Sequence, residues 1–208
     1  QCSSERTATY KAELIRPHSA PSLSPSLSGV PASNAQWGGF REGRGGSSPS
    51  LSREWQGGSF IDLTGGYGID SFYLSAMATE AHYVEQNPEL CRIAEHNFSR
   101  TRPHLQVHNT TAEEFLRNLP DIPNTERSEV TCIYLDPARR DNHGGKVFRI
   151  EDCTPNIIDM LPLLKQKSTI LMIKLSPMLD ITAALRSLGE GWQVHVVAVR
   201  NEVKELLF

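Results

Sequence analysis

The chain has 208 residues, 38% of them hydrophobic and 22% charged, which is enough for one catalytic domain with a small appendage. Its net charge of −3 and pI near 6.2 lack the basic footprint of tight nucleic-acid binders, so any nucleic-acid substrate would be held locally or by another domain. No apolar run approaches the roughly 20 residues that span a bilayer, and the first residues lack a signal-peptide pattern. We therefore expect a cytoplasmic protein without membrane contact.

The first 58 residues divide into a helix and a low-complexity segment. Ser3 and Ser4 precede Glu5 and a run of helix-forming residues, which predicts a capped helix over residues 1–14. Residues 15–58 are rich in Ser, Pro and Gly and cannot bury enough apolar surface to offset their ordering entropy, so we predict a disordered insertion there. Because the chain starts at Gln1 and stops at Phe208 inside a predicted strand, we expect a fragment of a longer protein.

From residue 59 onward, short apolar runs alternate with stretches of helical period, as in a parallel sheet with crossover helices. The predicted strands cover residues 59–63, 81–85, 105–108, 130–135, 169–175, 192–199 and 203–208. The core-facing residues predicted for the first two helices of this region are Ile69, Phe72, Tyr73 and Met77, then Leu90, Ile93, Ala94 and Phe98 after an opening Pro88. Further helices are predicted over residues 112–119, 156–164 and 179–188, the last ended by Gly189. Only a few residues separate the last two strands, which requires an antiparallel hairpin.

The most informative segment is F-I-D-L-T-G-G-Y-G-I-D-S, which runs from Phe60 to Ser71 between a predicted strand and helix. Gly65, Gly66 and Gly68 would let the backbone turn sharply and approach a ligand closely. The spacing differs from the G-x-G-x-x-G that cradles a pyrophosphate, and Asp62 precedes the glycines, which disfavours a nucleotide oxidoreductase. The alternative is an ordinary glycine-rich turn.

A second acid supports the ligand hypothesis. Glu85 ends the next strand 23 residues after Asp62, close to the separation of about 20 residues at which an acid reaches ribose hydroxyls in dinucleotide-binding folds. Either acid alone would more often be a solvated charge at a strand end. Together, around this loop, they favour a binding site for a cationic ligand that carries a ribose.

The motifs D-L-T-G-G-Y-G, V-E-Q-N-P and L-D-P-A-R-R, in this order, resemble motifs I, post-I and IV of class I S-adenosylmethionine-dependent methyltransferases. The chain is most similar to bacterial members with a C-terminal THUMP-like or ferredoxin-like domain, and more distantly to trimethylguanosine synthases. This resemblance implies a Rossmann-like three-layer α/β sandwich with strand order 3-2-1-4-5-7-6, cut short in the last strand. It also implies that helix 1–14 and residues 59–208 form one methyltransferase domain and that a C-terminal substrate-binding domain lies outside this chain.

The resemblance assigns S-adenosylmethionine as cofactor and gives roles to individual residues. Asp62, Gly65, Gly66 and Gly68 would line the methionine end, and Glu85 would bind the ribose. The other residues assigned to the cofactor are Thr64, Asp70, Gln86, Asn87, Thr111 and Ala112, of which Gln86 and Asn87 would flank the adenine. The chain departs from the family pattern at two of these positions. Thr64 stands where many members have the first glycine, and Thr111 stands where an acid often faces the adenine.

The same resemblance places Asp136 and Pro137 where the methyl acceptor meets the cofactor, as the catalytic pair. Ala138, Arg139 and Arg140 follow in place of a proline and a stacking aromatic, and an arginine plane can also stack on a base or pair with phosphate. The alternative for Arg139 and Arg140 is a salt bridge to a nearby acid: Asp141, Glu151 or Asp152. Lys174 would border the acceptor pocket, with a solvated surface lysine as its alternative.

Methyl transfer is a direct displacement, so the protein mainly positions the acceptor in line and assists loss of its proton. The four cysteines are far apart and form no C-x-x-C pair, and the seven histidines have no metal-ligand spacing, so we expect free thiols and no metal. Neither Cys132 nor Cys153 is placed to act as the nucleophile of a C5-pyrimidine enzyme. We favour an amine on RNA as acceptor. The alternatives are a small-molecule or protein acceptor, and a cofactor-binding module that is inactive without its C-terminal domain.

Overall fold

The computed structural model describes residues 4–15, 58–120, 130–139 and 149–208, and of Arg139 it describes the backbone alone. Nearly all of the predicted insertion 15–58 lies outside these ranges, as do Arg140 and Asp141. The helices are α1 (Glu5–Leu14), α2 (Ile69–Leu74), α3 (Pro88–Thr101), α4 (Ala112–Asn118), α5 (Ile157–Lys167) and α6 (Ile181–Leu188). Single 3-10 turns cover Ser75–Met77 and Ile150–Asp152. No helix in the described ranges is long and apolar enough to cross a membrane.

Seven strands form one sheet in the order β3-β2-β1-β4-β7-β9-β8. These strands are β1 (Ser59–Asp62), β2 (Glu80–Glu85), β3 (Leu105–Asn109), β4 (Thr131–Leu135), β7 (Ile170–Leu175), β8 (His195–Val199) and β9 (Glu202–Leu207). A separate antiparallel pair joins β5 (Ala138–Arg139) to β6 (Cys153–Thr154). Counted within the large sheet alone, the strand order is 3-2-1-4-5-7-6, so the predicted order is confirmed.

The first five strands of the sheet pair in parallel, and the last two form the predicted antiparallel hairpin. Arg200 and Asn201 connect β8 to β9 with φ of 55° and 61°, the left-handed conformation of a two-residue type I′ turn. Because β1, β2, β4 and β7 run in the same direction, their carboxyl ends lie at one edge of the sheet. Asp62, Glu85, Asp136 and Lys174 all lie at or just beyond these ends.

The sheet is buried on both faces, which gives the three-layer sandwich that the sequence predicts. Along β4 the side chains alternate: Ile133 and Leu135 pack with α4, α5 and α6, whereas Cys132 and Tyr134 pack with α2 and α3. Cys132 is a buried free thiol whose pKa burial raises to about 12, which is consistent with packing and not with a nucleophilic role.

The capping predictions agree with the structure. Ser4 is the N-cap of α1 and accepts a hydrogen bond from the N–H of Thr7. Gly189 follows α6 with φ of 80°, as expected of a glycine that ends a helix. The buried side of α1 carries Thr7, Ala8 and Lys11, and the helix packs against α2.

The predicted core faces of α2 and α3 are partly wrong. In α2 the buried residues are Asp70, Ser71 and Leu74, whereas Ile69 is 37% exposed. This helix has only six residues, and polar contacts of Asp70 and Ser71 turn it toward the sheet edge. In α3 the buried residues are Cys91, Ala94 and Phe98 at i, i+3 and i+7, so Ala94 and Phe98 are confirmed. This stripe leaves Leu90 at its margin and Ile93 48% exposed.

Candidate functional site

The glycine loop between β1 and α2 has a conformation that side chains at two of its positions would prevent. A Cβ at Gly65 would lie 2.2 Å from the ring of Tyr83, and a Cβ at Gly68 would lie 2.6 Å from Cζ of Phe98. Gly68 also has φ of 76°, in the left-handed region that favours glycine. The Tyr83 hydroxyl donates to the carbonyl of Gly66 at 2.5 Å, which fixes the centre of the loop.

Asp62 lies at the end of β1, beneath this loop, and is 1% exposed. Its carboxylate accepts hydrogen bonds from the Thr64 N–H at 2.9 Å and from the Ser71 hydroxyl at 2.5 Å. Burial raises the pKa of Asp62 to about 7, although these two hydrogen bonds act in the opposite direction. A cation that approaches this carboxyl would stabilise its ionised form.

Glu85, at the end of β2, connects the glycine loop to the start of α3. One carboxylate oxygen accepts from the Gly66 N–H at 2.9 Å, and the other accepts from the Asn87 N–H at 2.8 Å. Each carboxylate oxygen has a second lone pair, so Glu85 keeps the capacity to accept from the hydroxyls of a ligand.

These loops border a cleft of about 470 Å³, a volume in the range of about 300–1,000 Å³ that is usual for cofactor sites. Ten of the eleven expected cofactor residues line it: Asp62, Thr64, Gly65, Gly66, Gly68, Asp70, Glu85, Gln86, Thr111 and Ala112. Asn87 is not among the described residues that line the cleft, because its side chain caps α3 by accepting from the Glu89 N–H. Thr111 likewise accepts from the Glu114 N–H as the N-cap of α4, but it also borders the cleft.

Asp136, directly after β4, lies at one end of the cleft. Its backbone N–H donates to the Thr64 hydroxyl at 2.6 Å, which links the segment after β4 to the glycine loop. Its side chain forms an ion pair with Lys174 of β7. Lys174 is only 7% exposed, so the alternative of a solvated surface lysine is wrong. Burial raises the pKa of the Asp136 carboxyl, and Lys174 offsets part of this increase.

A second ion-pair system, which the sequence did not predict, lies behind Asp136. Lys11 of α1 is fully buried, and its Nζ lies 2.6 Å from Oδ1 of Asp70 and 3.3 Å from Oε1 of Glu205 in β9. Asp70 also accepts from the Tyr134 hydroxyl at 2.7 Å, and its Oδ2 lies 3.7 Å from Nζ of Lys174. Burial alone would raise the pKa of Asp70, but Lys11 and Lys174 outweigh it and lower the pKa.

A second cavity, of about 690 Å³, also borders Asp136. Asp136 and Ala138 border both spaces, so the two spaces meet at the motif L-D-P-A. Its charged lining residues come from α1, β4, β7 and the β8–β9 hairpin: Glu5, Arg6, Asp136, Lys174, Arg200, Glu202, Lys204 and Glu205. Pro137 also lines this cavity and is buried.

The expected arginine contacts are only partly described. The side chain of Arg139 and all of Arg140 lie outside the described part of the chain. Of the acids offered as their alternative partners, Glu151 accepts from the Ser187 hydroxyl at 2.6 Å and lies 3.5 Å from Nε of Arg149.

Comparison with known proteins supports the fold assignment. No protein-family model matches the chain, and no curated protein matches it. The structure of a candidate methyltransferase from Porphyromonas gingivalis W83 matches all of the chain at 30% identity with a TM-score of 0.66. Our chain spans 40% of the length of that protein.

Weaker similarities extend to other solved methyltransferase structures. An rRNA methylase from Streptococcus thermophilus matches 73% of this chain, and 84% of its own length is covered, at 11% identity and a TM-score of 0.49. A candidate methyltransferase from Escherichia coli, yhhF, matches 72% of this chain over 75% of its own length, at 17% identity and a TM-score of 0.47. Together with the strand order, the Porphyromonas structure identifies the fold as the Rossmann-like fold of methyltransferases.

Proposed function

We propose that this chain is the cofactor-binding and catalytic part of an S-adenosylmethionine-dependent methyltransferase that methylates an amine nitrogen on RNA. The observation that carries the proposal is that Asp136 borders two spaces. One space is the cleft under the glycine loop, and the other is the larger cavity beside α1 and the hairpin. Direct methyl transfer requires the acceptor and the cofactor methyl group to meet in line, and a group that borders both spaces can orient the acceptor for this step.

The residues of the cleft fit S-adenosylmethionine in their chemistry. The cofactor carries an ammonium and a sulfonium, and the cleft offers the buried carboxylate of Asp62 and the carboxylate of Glu85. Gly65 and Gly68 let the loop backbone pack closely against Tyr83 and Phe98, which holds the loop at the border of the cleft. When it is bound, S-adenosylmethionine supplies an electrophilic methyl group.

The chain's own contribution is to position the acceptor and to remove its proton. The Asp136 carboxylate would accept a hydrogen bond from the amine and then its proton, and its raised pKa makes it a stronger base than an ordinary aspartate. Lys174 keeps this carboxylate oriented, and the bond from the Asp136 N–H to Thr64 fixes its distance from the glycine loop. Pro137 limits the backbone freedom of the same motif.

Three features support an RNA acceptor. The second cavity can receive one nucleobase, and Arg6 and Arg200 on its border are exposed, where they can pair with phosphate. Arg139 and Arg140 follow the acceptor motif directly and would stack on the base or bind phosphate. A C-terminal domain of the THUMP-like or ferredoxin-like kind, which the sequence resemblance implies, would bind the rest of the RNA.

A small-molecule acceptor is the second candidate, and one observation favours it. The charged residues that line the second cavity comprise four acids and four bases, a balance that suits a compact polar metabolite better than a polyanion.

Transfer of labelled methyl groups from S-adenosylmethionine distinguishes these candidates. The wild-type chain and Asp136→Asn are incubated with cellular RNA, protein and small metabolites as separate fractions. We expect label on RNA with the wild type and a loss of at least about a hundredfold with Asp136→Asn. Label on metabolites alone would overturn the RNA assignment. Cofactor binding by calorimetry without transfer to any fraction would indicate a binding module that is inactive in this form.

A further inference from the structure

Lys11 is a buried cation that the proposed chemistry does not use directly. Its side chain is fully buried, yet it belongs to α1, which ends more than 40 residues before the first strand of the sheet. Its Nζ contacts Asp70 and Glu205 and lies 3.4 Å from the Tyr134 hydroxyl. These contacts connect α1 to α2, β4 and β9, and they join Asp70 of the cleft to Glu205 of the second cavity.

A buried lysine carries a large desolvation cost, which only close anions offset. α1 could pack through apolar residues alone, as Ala8 does on the same face. The sequence instead places an ammonium between two carboxylates, and one of these, Asp70, borders the cofactor cleft. The cost suggests a role beyond packing.

The charged side chains form a continuous series of ion pairs that starts at Lys11 and ends at Asp136. Lys11 pairs with Asp70, the other oxygen of Asp70 lies 3.7 Å from Lys174, and Lys174 pairs with Asp136. Asp70 therefore competes with Asp136 for Lys174. When Lys11 neutralises Asp70, this competition is weak, and Lys174 stays on Asp136.

We propose that Lys11 is a positioning residue for methyl transfer: by holding Asp70, it keeps Lys174 paired with Asp136, the group that receives the acceptor proton. The proposal rests on the proposed function only for its catalytic consequence. The dependence of the Asp136 environment on Lys11 is a property of the protein without ligands.

Removal of Lys11 has a defined electrostatic effect on Asp136. Among the described residues, the charged or titratable groups that interact with Asp136 from neighbouring elements are Lys11, Asp62, Asp70, Tyr134 and Lys174. Glu205 interacts with Lys11 and Lys174. Without Lys11, Asp70 attracts Lys174, and Asp136 loses a partner that lowers its pKa. The pKa of Asp136 should then increase further, and the acid limb of the kcat profile should move to higher pH.

Two variants separate positioning from simple charge balance. Lys11→Met removes the ammonium and leaves an excess negative charge in the cluster. The double variant Lys11→Met with Glu205→Gln restores the net charge of the cluster but leaves Asp70 without its nearest cation. Ala8→Gly, on the same buried face of α1 but in the lining of neither space, is the control for lost packing. Glu205→Gln alone shows the effect of the second change.

Two readouts are measured on each chain. The first is the pH titration of the Asp136 carboxyl by ¹³C NMR without ligand, assigned with Asp136→Asn. The second is kcat and KM across pH with the best acceptor. The unfolding temperature of each chain is also measured, and we expect it to be higher for the double variant than for Lys11→Met. In both variants the Asp136 pKa should lie above that of the wild type, and kcat should be lower by about tenfold or more. Ala8→Gly should change neither readout.

Recovery of the Asp136 titration and of kcat in the double variant would overturn the proposal, because net charge alone would then account for Lys11. An equal kcat loss in Ala8→Gly would also overturn it. If the wild type neither binds S-adenosylmethionine nor transfers methyl groups, the proposed function fails, and the NMR titration still decides whether Lys11 controls Asp136.

Discussion

Binding of S-adenosylmethionine should depend on pH through Asp62. This carboxyl is 1% exposed, and burial raises its pKa to about 7, so it is partly protonated at neutral pH when the cleft is empty. A cationic ligand favours the ionised form. Binding should therefore lower the pKa of Asp62 and release a proton, and affinity should increase as the pH rises through 7.

The size of this effect follows from the titration curve. A group with a pKa of about 7 is about 9% ionised at pH 6, about half ionised at pH 7 and about 91% ionised at pH 8. If the ionised form alone binds the cofactor, affinity should rise about tenfold from pH 6 to pH 8, equivalent to about 1.4 kcal/mol. Binding at pH 7 should release about half a proton per site.

Isothermal titration calorimetry at pH 6, 7 and 8, in buffers of different ionisation enthalpy, measures both the affinity and the proton release. The α-amino group of the cofactor itself titrates near 8, so the wild type is compared with Asp62→Asn, which keeps the size of the side chain but cannot ionise. Asp136→Asn is the control for the other carboxyl of raised pKa beside the cleft.

We expect Asp62→Asn to bind more weakly and to lose the tenfold pH dependence, whereas Asp136→Asn should retain it. Equal pH dependence in the wild type and in Asp62→Asn would refute the reasoning. That result would mean either that the cofactor's cationic groups bind elsewhere in the cleft or that Asp62 is ionised throughout this range.

Three further outcomes follow from burial and backbone geometry. Gly68→Ala should lower the free energy of unfolding in urea by at least about 2 kcal/mol and weaken cofactor binding, because the new Cβ would meet Phe98. Gly189 has a similar φ, but a Cβ there would have no atom within 4 Å. Gly189→Ala should therefore lower the free energy of unfolding by only about 1 kcal/mol. Equal costs would show that the loop can move away from Phe98. The folded-state pKa of Asp62 lies above its unfolded value of about 3.9, so protonation of Asp62 stabilises the fold. This stabilisation is complete below about pH 4 and is lost as the pH rises through 7. The loss in the free energy of unfolding is at most about 4 kcal/mol. Urea unfolding from pH 4 to 8 should therefore show a smaller decline in stability for Asp62→Asn than for the wild type. Finally, Leu164→Ala at a fully buried site should cost about 2–5 kcal/mol, whereas Ile93→Ala, at a side chain 48% exposed, should cost less than about 1 kcal/mol in the same assay.

Much of the fold could be predicted because its signals are local. Short apolar runs marked the strands, and the short link between the last two strands required a hairpin, which forms through Arg200 and Asn201. The helix faces were less predictable. In α3 the hydrophobic pattern places Ile93 in the core, but Ile93 is exposed and Cys91 is buried there.

The cleft proposed for the cofactor was predictable for a similar reason, because its loop is one continuous segment. The glycine spacing and the acids at two strand ends are visible in the sequence, and the parallel sheet places these strand ends side by side. The ion-pair system behind Asp136 was not predictable. Lys11 and Glu205 are 194 residues apart, and a lysine on a polar helix is ordinarily solvated. Lys174 did carry a signal, since it interrupts the apolar strand I-L-M-I-K-L near its carboxyl end.

Thr64 explains how the two halves of the site are connected. In the methyltransferase motif that this loop resembles, many members have glycine here, but Thr64 is not among the described residues with positive φ, so this position does not require glycine. Its hydroxyl lies 3.4 Å from Oδ1 of Asp62 as donor and accepts the Asp136 N–H at 2.6 Å. A glycine would leave this N–H at the cleft without that partner. Thr64 therefore connects Asp62, which is proposed to bind the cofactor's cations, directly to Asp136, which is proposed to accept the acceptor's proton.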